Sequence, residues 1–163
     1  MTLTKEVIQK HIWKRDCLLF LVLAFTLPLL TVVLVAFNVT AFMIVTPMVF
    51  IPLIIAFCFG LKKLIAIKRN DFYVVKHSCT NIRTETYTVD NSDGKSRFAV
   101  FGNYGEYKLK ESHSEFVSVG SEYYLIILTT NSKIVDYFSS KKYEVDNHQF
   151  FSEDGTVFYY QKN

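Results

Sequence analysis

From Cys17 to Leu61 the chain runs for 45 residues without a Lys, Arg, Asp or Glu. A helix on the surface of a water-soluble domain needs a polar face, and no stretch of this run supplies one. A typical soluble domain carries about 25% charged residues; here the figure is 20%, and every charge lies outside the run. The pattern excludes an ordinary soluble domain and a disordered chain. The three cysteines, Cys17, Cys58 and Cys79, have no framework spacing and suit a reducing compartment better than a disulfide-stapled mini-protein.

Charge divides the chain further. Residues 1–16 carry Lys5, Lys10, Lys14 and Arg15 against Glu6 and Asp16, a net of +2. Residues 62–69 carry Lys62, Lys63, Lys68 and Arg69 with no acid, a net of +4. Residues 70–163 hold ten basic and thirteen acidic residues, a net of −3. All ten tyrosines lie at or after Tyr73.

A single helix of 45 residues would be about twice as long as the roughly 30 Å of bilayer hydrocarbon. The expectation is therefore two spans, 16–37 and 41–66, joined by a short break around Asn38 and Thr40. They would form an antiparallel transmembrane hairpin over 16–66. A cleaved signal peptide fits poorly because the apolar run is too long. The basic flanks, Lys14 and Arg15 on one side and Lys62, Lys63, Lys68 and Arg69 on the other, place both termini in the cytoplasm. Trp13 would sit at the headgroup level. Ala56 and Gly60 form a small-xxx-small pair suited to helix packing. Spans without charge read as an anchor rather than an ion or substrate pathway. Asn38-Val39-Thr40 matches a glycosylation pattern, but lies too close to the membrane to carry that meaning.

After Arg69 the apolar period becomes two. Phe72–Val75, residues 83–89, Ser96–Phe101, Glu106–Lys110, Glu122–Thr129 and Lys133–Phe138 read as strands. Asp90 to Lys95 and Gly102 to Gly105 read as turns. Glu122–Thr129 is apolar on both faces, which marks a strand covered on both sides. So many short strands in 70–145 suggest a small SH3-like or OB-like β-barrel, with a β-sandwich as the alternative. Residues 146–163 read as a tail or an extra hairpin around Ser152–Gly155, and residues 1–15 as a cytoplasmic segment.

Phe72-Tyr73-Val74-Val75, Phe101-Gly102-Asn103-Tyr104-Gly105-Glu106-Tyr107 and Val119-Gly120-Ser121-Glu122-Tyr123-Tyr124-Leu125 carry one resemblance. The layout resembles uncharacterised small membrane proteins of low-GC Gram-positive bacteria, with two transmembrane helices and a C-terminal tyrosine-rich β-domain. A looser likeness, of architecture alone, is to the NfeD-like family. The resemblance implies no activity.

Candidate chemistry is sparse. His77 and Cys79 are two apart on a strand, but structural zinc wants four ligands, and no second pair accompanies them. Ser112-His113-Ser114-Glu115 has the residue types of a catalytic triad within one loop, where they cannot converge. No phosphate loop or paired carboxylates appear. The expectation is a protein that is not an enzyme, with no cofactor and no metal. Nucleic acid is not an expected partner for a domain of net −3, because phosphate contacts supply most of that affinity. The expected partners are a lipid bilayer, a protein and, through the hairpin, further copies of the chain. The functional expectation is an integral membrane protein tethering a cytosolic interaction module, with Tyr104, Phe150 and Phe151 as its anchors. The alternative is a self-assembling structural membrane component.

Overall fold

A computed structural model describes residues 1–18, 20–23, 25–26, 32, 42–89, 92–109 and 117–161, and no side chains at 42–50, 88–89 and 92–93. Two compact units emerge. Lys5–Arg69 is one; Met1–Thr4 together with Asn70–Asn163 is the other.

The first unit is helical. Helix α1 (Lys5–Ile12) buries Ile8 and Ile12, one turn apart. It continues into a π-helical turn, Trp13–Leu18, and a later helix, α2, spans Phe42–Lys68. The π-helical turn carries Asp16, which is only 5% exposed. Arg15 donates Nε to Asp16 Oδ1 at 2.8 Å and Nη2 to Oδ2 at 3.0 Å; Lys63 of α2 donates to Oδ2 at 2.8 Å. Burial alone would raise the Asp16 carboxyl, but the hydrogen bonds and charges of Arg15 and Lys63 outweigh it. They hold the group well below the usual carboxylate range. Gly60 faces the same turn, and a Cβ there would lie 2.7 Å from the Asp16 carbonyl oxygen. Only glycine permits that approach without displacement.

This unit corrects the largest expectation. Among the described residues no helix is long and apolar enough to cross a membrane. Helix α2 carries its uncharged residues only as far as Leu61. Lys62, Lys63 and Lys68 then follow within the same helix. At the other end, the chain entering the expected first span is the π-helical turn, whose Arg15 and Asp16 are paired with each other. The break at 37–41 and most of 16–37 lie outside the described residues. The two-span hairpin over 16–66, the multi-pass placement in a cell membrane with both termini cytoplasmic, and the integral-membrane tether or membrane scaffold built on it are accordingly set aside.

The second unit is β-rich. Its strands are β1 (Thr2–Leu3), β2 (Phe72–Ser78), β3 (Asn81–Val89), β4 (Ser92–Val100), β5 (Glu106–Leu109), β6 (Glu122–Leu128), β7 (Ile134–Ser139), β8 (Glu144–Val145), β9 (Phe150–Ser152) and β10 (Val157–Tyr160). They form a five-stranded antiparallel sheet ordered β7-β6-β2-β10-β9, a three-stranded sheet β3-β4-β5, and a parallel pair β1-β8. Among the described residues the strand order does not return on itself in any sheet, so the expected SH3-like or OB-like barrel does not close. Strands β9 and β10, from the segment read as a tail or an extra hairpin, pair with each other and extend the large sheet beyond β2.

The core is built from one face of the large sheet, through Val75, Tyr123, Leu125, Ile127 and Tyr137, and from Ala99, Phe101 and Val117. The other face of the large sheet buries Phe72, Val74, Ile126, Phe138 and Phe150. The apolar stretches of both strands, Phe72–Val75 of β2 and Tyr123–Leu128 of β6, thus bury side chains on both faces of the sheet. The turn read at Asp90–Lys95 is shorter than expected. Strands β3 and β4 stay in register up to Val89 and Ser92, which draws Asp93 and Gly94 into the ladder. Gly94 lies opposite Tyr87, whose ring occupies the place a Cβ at position 94 would take. Cross-strand cover of this kind compensates a glycine that packs nothing itself.

Removing the Asp16 carboxylate takes a charged partner from the Arg15 guanidinium, which is 5% exposed. Asp16→Ala is expected to cost about 3 kcal/mol in denaturant unfolding of the helical unit. Combining Asp16→Leu with Arg15→Met is expected to cost clearly less than the sum of the separate changes. Gly60→Ala is expected to lower the same transition by about 1–3 kcal/mol, because a backbone carbonyl stands in the way.

Candidate recognition face

Strands β9, β10 and β2 lie side by side, and their register fixes what shares a face. Tyr159 is opposite both Phe151 and Tyr73. The three rings form a row across the strands: Phe151 and Tyr159 have centroids 5.6 Å apart at 32°, and Tyr159 and Tyr73 are 6.1 Å apart at 30°. Phe151 is 44% exposed and Tyr159 46%, while Tyr73 is half-buried against the core. Each cross-strand aromatic pair contributes about 0.2–1 kcal/mol to the sheet. The row therefore needs no ligand in order to form, yet it leaves large ring edges in solvent.

The polar groups that act on Tyr73 are neutral. Burial pushes the Tyr73 phenol above its ordinary value, with Tyr104 and Tyr159 adding to the rise and the Ser132 hydrogen bond opposing it. Tyr73 is thus a protonated phenol throughout the neutral range. Ser132 occupies the left-handed region at φ 52 in the β6–β7 turn, where its N–H donates to Leu128 O at 3.0 Å. Tyr104, from the short 3-10 turn Gly102–Tyr104, packs edge-on against His77 at 5.2 Å. His77 donates Nδ1–H to its neighbour's carbonyl, Ser78 O, at 2.8 Å.

The β9–β10 loop sets the register of the row. Asp154 Oδ1 accepts the N–H groups of Thr156 and Val157 at 2.9 and 3.0 Å, and Oδ2 accepts the Thr156 hydroxyl at 2.7 Å. Ser152 Oγ accepts the N–H of Gly155, which sits at φ 72. The hydroxyl of Thr156 and the two amides hold the Asp154 carboxyl well below the usual carboxylate range.

The residues singled out from sequence scatter over both units. Phe150 and Phe151 do not act together: adjacent strand residues face opposite sides, so Phe151 joins the exposed row while Phe150 is 1% exposed and packs against Phe72 and Tyr160. Phe150 is therefore withdrawn as a surface anchor. Tyr104 stands half-buried beside Tyr73. Arg15 and Lys63 clamp Asp16, Lys62 lies over the Phe59 ring at 5.6 Å, and Lys14, Lys68 and Arg69 are exposed. Gly60 is buried against the π-helical turn and Ala56 is half-buried. His77 and Cys79 do not converge as ligands, since the Cys79 thiol donates to Asn81 O at 3.3 Å. Among the described residues no three His, Cys, Asp or Glu side chains cluster as a metal site. His113 and its neighbouring serines lie outside the described residues. Tyr73 and Tyr159, the centre of the exposed row, were missed. The signal available was the alternation Val157-Phe158-Tyr159-Tyr160 beside Phe151, but it has no meaning until β10 is known to lie next to β2.

Asp154→Ala is expected to loosen the β9–β10 hairpin, read as faster amide exchange at Thr156 and Val157. The same change should appear in the unaltered protein in acid. A carboxyl with a depressed folded pKa stabilises above its unfolded value of about 4 and loses that contribution as pH falls below it. Protection of those two amides is therefore expected to fall in acid, and to be insensitive to pH in Asp154→Ala.

No family model matches the chain, and neither a curated protein nor a solved structure matches it at the significance required of a relative.

Proposed function

We propose that the β-rich unit is a protein-recognition module that binds its partner through the row Phe151, Tyr159 and Tyr73. The single observation carrying this reading is the exposure of two large, in-register aromatic rings that already stack in the free protein. Such rings give contact area at small entropic cost, since each has two side-chain torsions and both are held by neighbours. Tyrosine also combines an apolar body with a hydroxyl, which is why it is enriched at the energetic centres of interfaces. The surrounding phenols and the neutral Ser132 hydroxyl suit an uncharged, partly apolar segment. Nucleic acid fits less well, because residues 70–163 are net −3 and phosphate binding needs the opposite sign. Binding rather than catalysis is the role proposed.

A photoreactive benzoylphenylalanine at Phe151 tests this, with the same group at Tyr87 as comparator; Tyr87 is 50% exposed on β3 of the other sheet. The expected result is one discrete protein adduct from position 151 in cells. Tyr159→Ala should weaken it about tenfold, in line with loss of an interface hot spot. Absence of an adduct, or an equal adduct from position 87, would reject the row as the contact surface. An adduct whose second member is the chain itself would identify the partner as another copy.

A further inference from the structure

The helical unit contains a cleft of about 480 Å³ lined by Glu6, Gln9, Lys10, Trp13, Leu64 and Lys68. The first four recur at i, i+3, i+4 and i+7 along α1 and the start of the π-helical turn, so they share one face. Leu64 and Lys68 are one turn apart on α2. Trp13 and Leu64 give the cleft an apolar floor, and two lysines against one glutamate give it a net positive rim.

A second observation continues from the rim. Ile54, Cys58, Leu61, Ile65 and Lys68 follow one another at intervals of four and three residues, a single stripe along α2. Ile54 is 45% and Ile65 46% exposed, and the adjoining row contains Ile51, Ile55 and Phe59 at 58%, 51% and 60%. An apolar strip of this extent is uncommon on a surface that faces only water. It ends at a lysine that belongs to the cleft. The distance from Ile54 to Lys68 along the helix is about 21 Å, the length of a long alkyl chain. Residues 5–69 are net +6, which excludes a second copy of this surface as the favoured cover and attracts anions instead.

We propose that the cleft binds an anionic amphiphile, its charged head between Lys10 and Lys68 against Trp13 and its alkyl chain along the Ile65–Ile54 stripe of α2. Lysine ammonium groups suit a phosphate or carboxylate head as point charges, the single Glu6 repels such a head less than the two lysines attract it, and the stripe supplies the apolar half of the ligand's recognition. The site lies wholly within the helical unit and is independent of the aromatic row.

Trp13 is the chain's one tryptophan, so its emission reports on the cleft without a label. Monomeric dodecyl phosphate, kept below its micellar concentration, is expected to shift that emission saturably. Lys10→Gln with Lys68→Gln should weaken binding about tenfold, and Ile65→Asn should weaken it separately. Circular dichroism establishes that each variant keeps its helices, and all three positions are exposed enough for that to be expected. Three results would overturn the proposal: no saturable shift, an equal shift with neutral dodecyl maltoside, or binding by the double-lysine variant as tight as by the unaltered chain. Phosphatidylcholine vesicles with and without phosphatidylglycerol separate the sources. A response to anionic vesicles but none to the monomer would replace the cleft with a lipid surface, and so reject it as a site for a single molecule.

Discussion

A strand presents consecutive side chains to opposite sides of its sheet, and strands β2 and β6 carry apolar residues on both. That constraint decides most of the β-rich unit. One face of the large sheet must be covered by Ala99, Phe101 and their neighbours, and the other buries Phe72, Ile126 and Phe150. The cover is incomplete toward β9 and β10, where Tyr159 and Phe151 stand on the same side as the core but beyond its main cluster. The recognition face is thus the uncovered margin of the surface that holds the unit together. Its rings are rigid because they continue the core, and they are available because the covering sheet is narrower than the sheet beneath it.

The helical unit depends on a different force. Asp16 is a buried carboxylate whose two cations come from its sequence neighbour and from a residue 47 positions later. A buried pair stabilises little compared with apolar side chains of the same volume, but it tolerates no missing member. Its effect here is on register. Lys63 meets Asp16 only when Gly60 also lies under the π-helical turn, so charge and close packing select the same relation between α2 and that turn. The basic residues near the uncharged run act inside the protein as well as on its surface. Counted as flanking charges, Arg15 and Lys63 pointed toward a membrane orientation; paired with Asp16, one of their two charges is neutralised within the fold.

Local signals were legible where the partners are close in sequence. The turn at Gly102–Gly105 sits between β4 and β5, and the two-sided apolar stretch at 122–128 is a covered strand. The alternation that separates Phe150 from Phe151 was equally legible, and reading them as a joint anchor overlooked it. Long-range pairings were not. Nothing local places Val157 against Val75, or Lys63 against Asp16, because each such contact is decided by competing partners elsewhere in the chain. The turn at Asp90–Lys95 was overextended for a related reason: Asp and Gly favour turns in isolation, but a ladder already registered from Asn81 to Val100 extends through them. The uncharged run was correctly seen as exceptional.

The insertion of β10 between β2 and β9 has a kinetic consequence. Strand β2 is the first of the large sheet to be made, and β6 can pair with one of its edges once Leu128 has been added. Its other edge waits for Val157–Tyr160, some eighty residues later in the chain. During that interval β2 presents open hydrogen-bonding groups and the apolar side chains Phe72 and Val74, the combination that recruits wrong strands. The closing step is also among the least local contacts of the fold, and contacts of that kind are slow to form. Assembly of this sheet therefore has an early half and a late half, with exposure to aggregation confined to the gap between them.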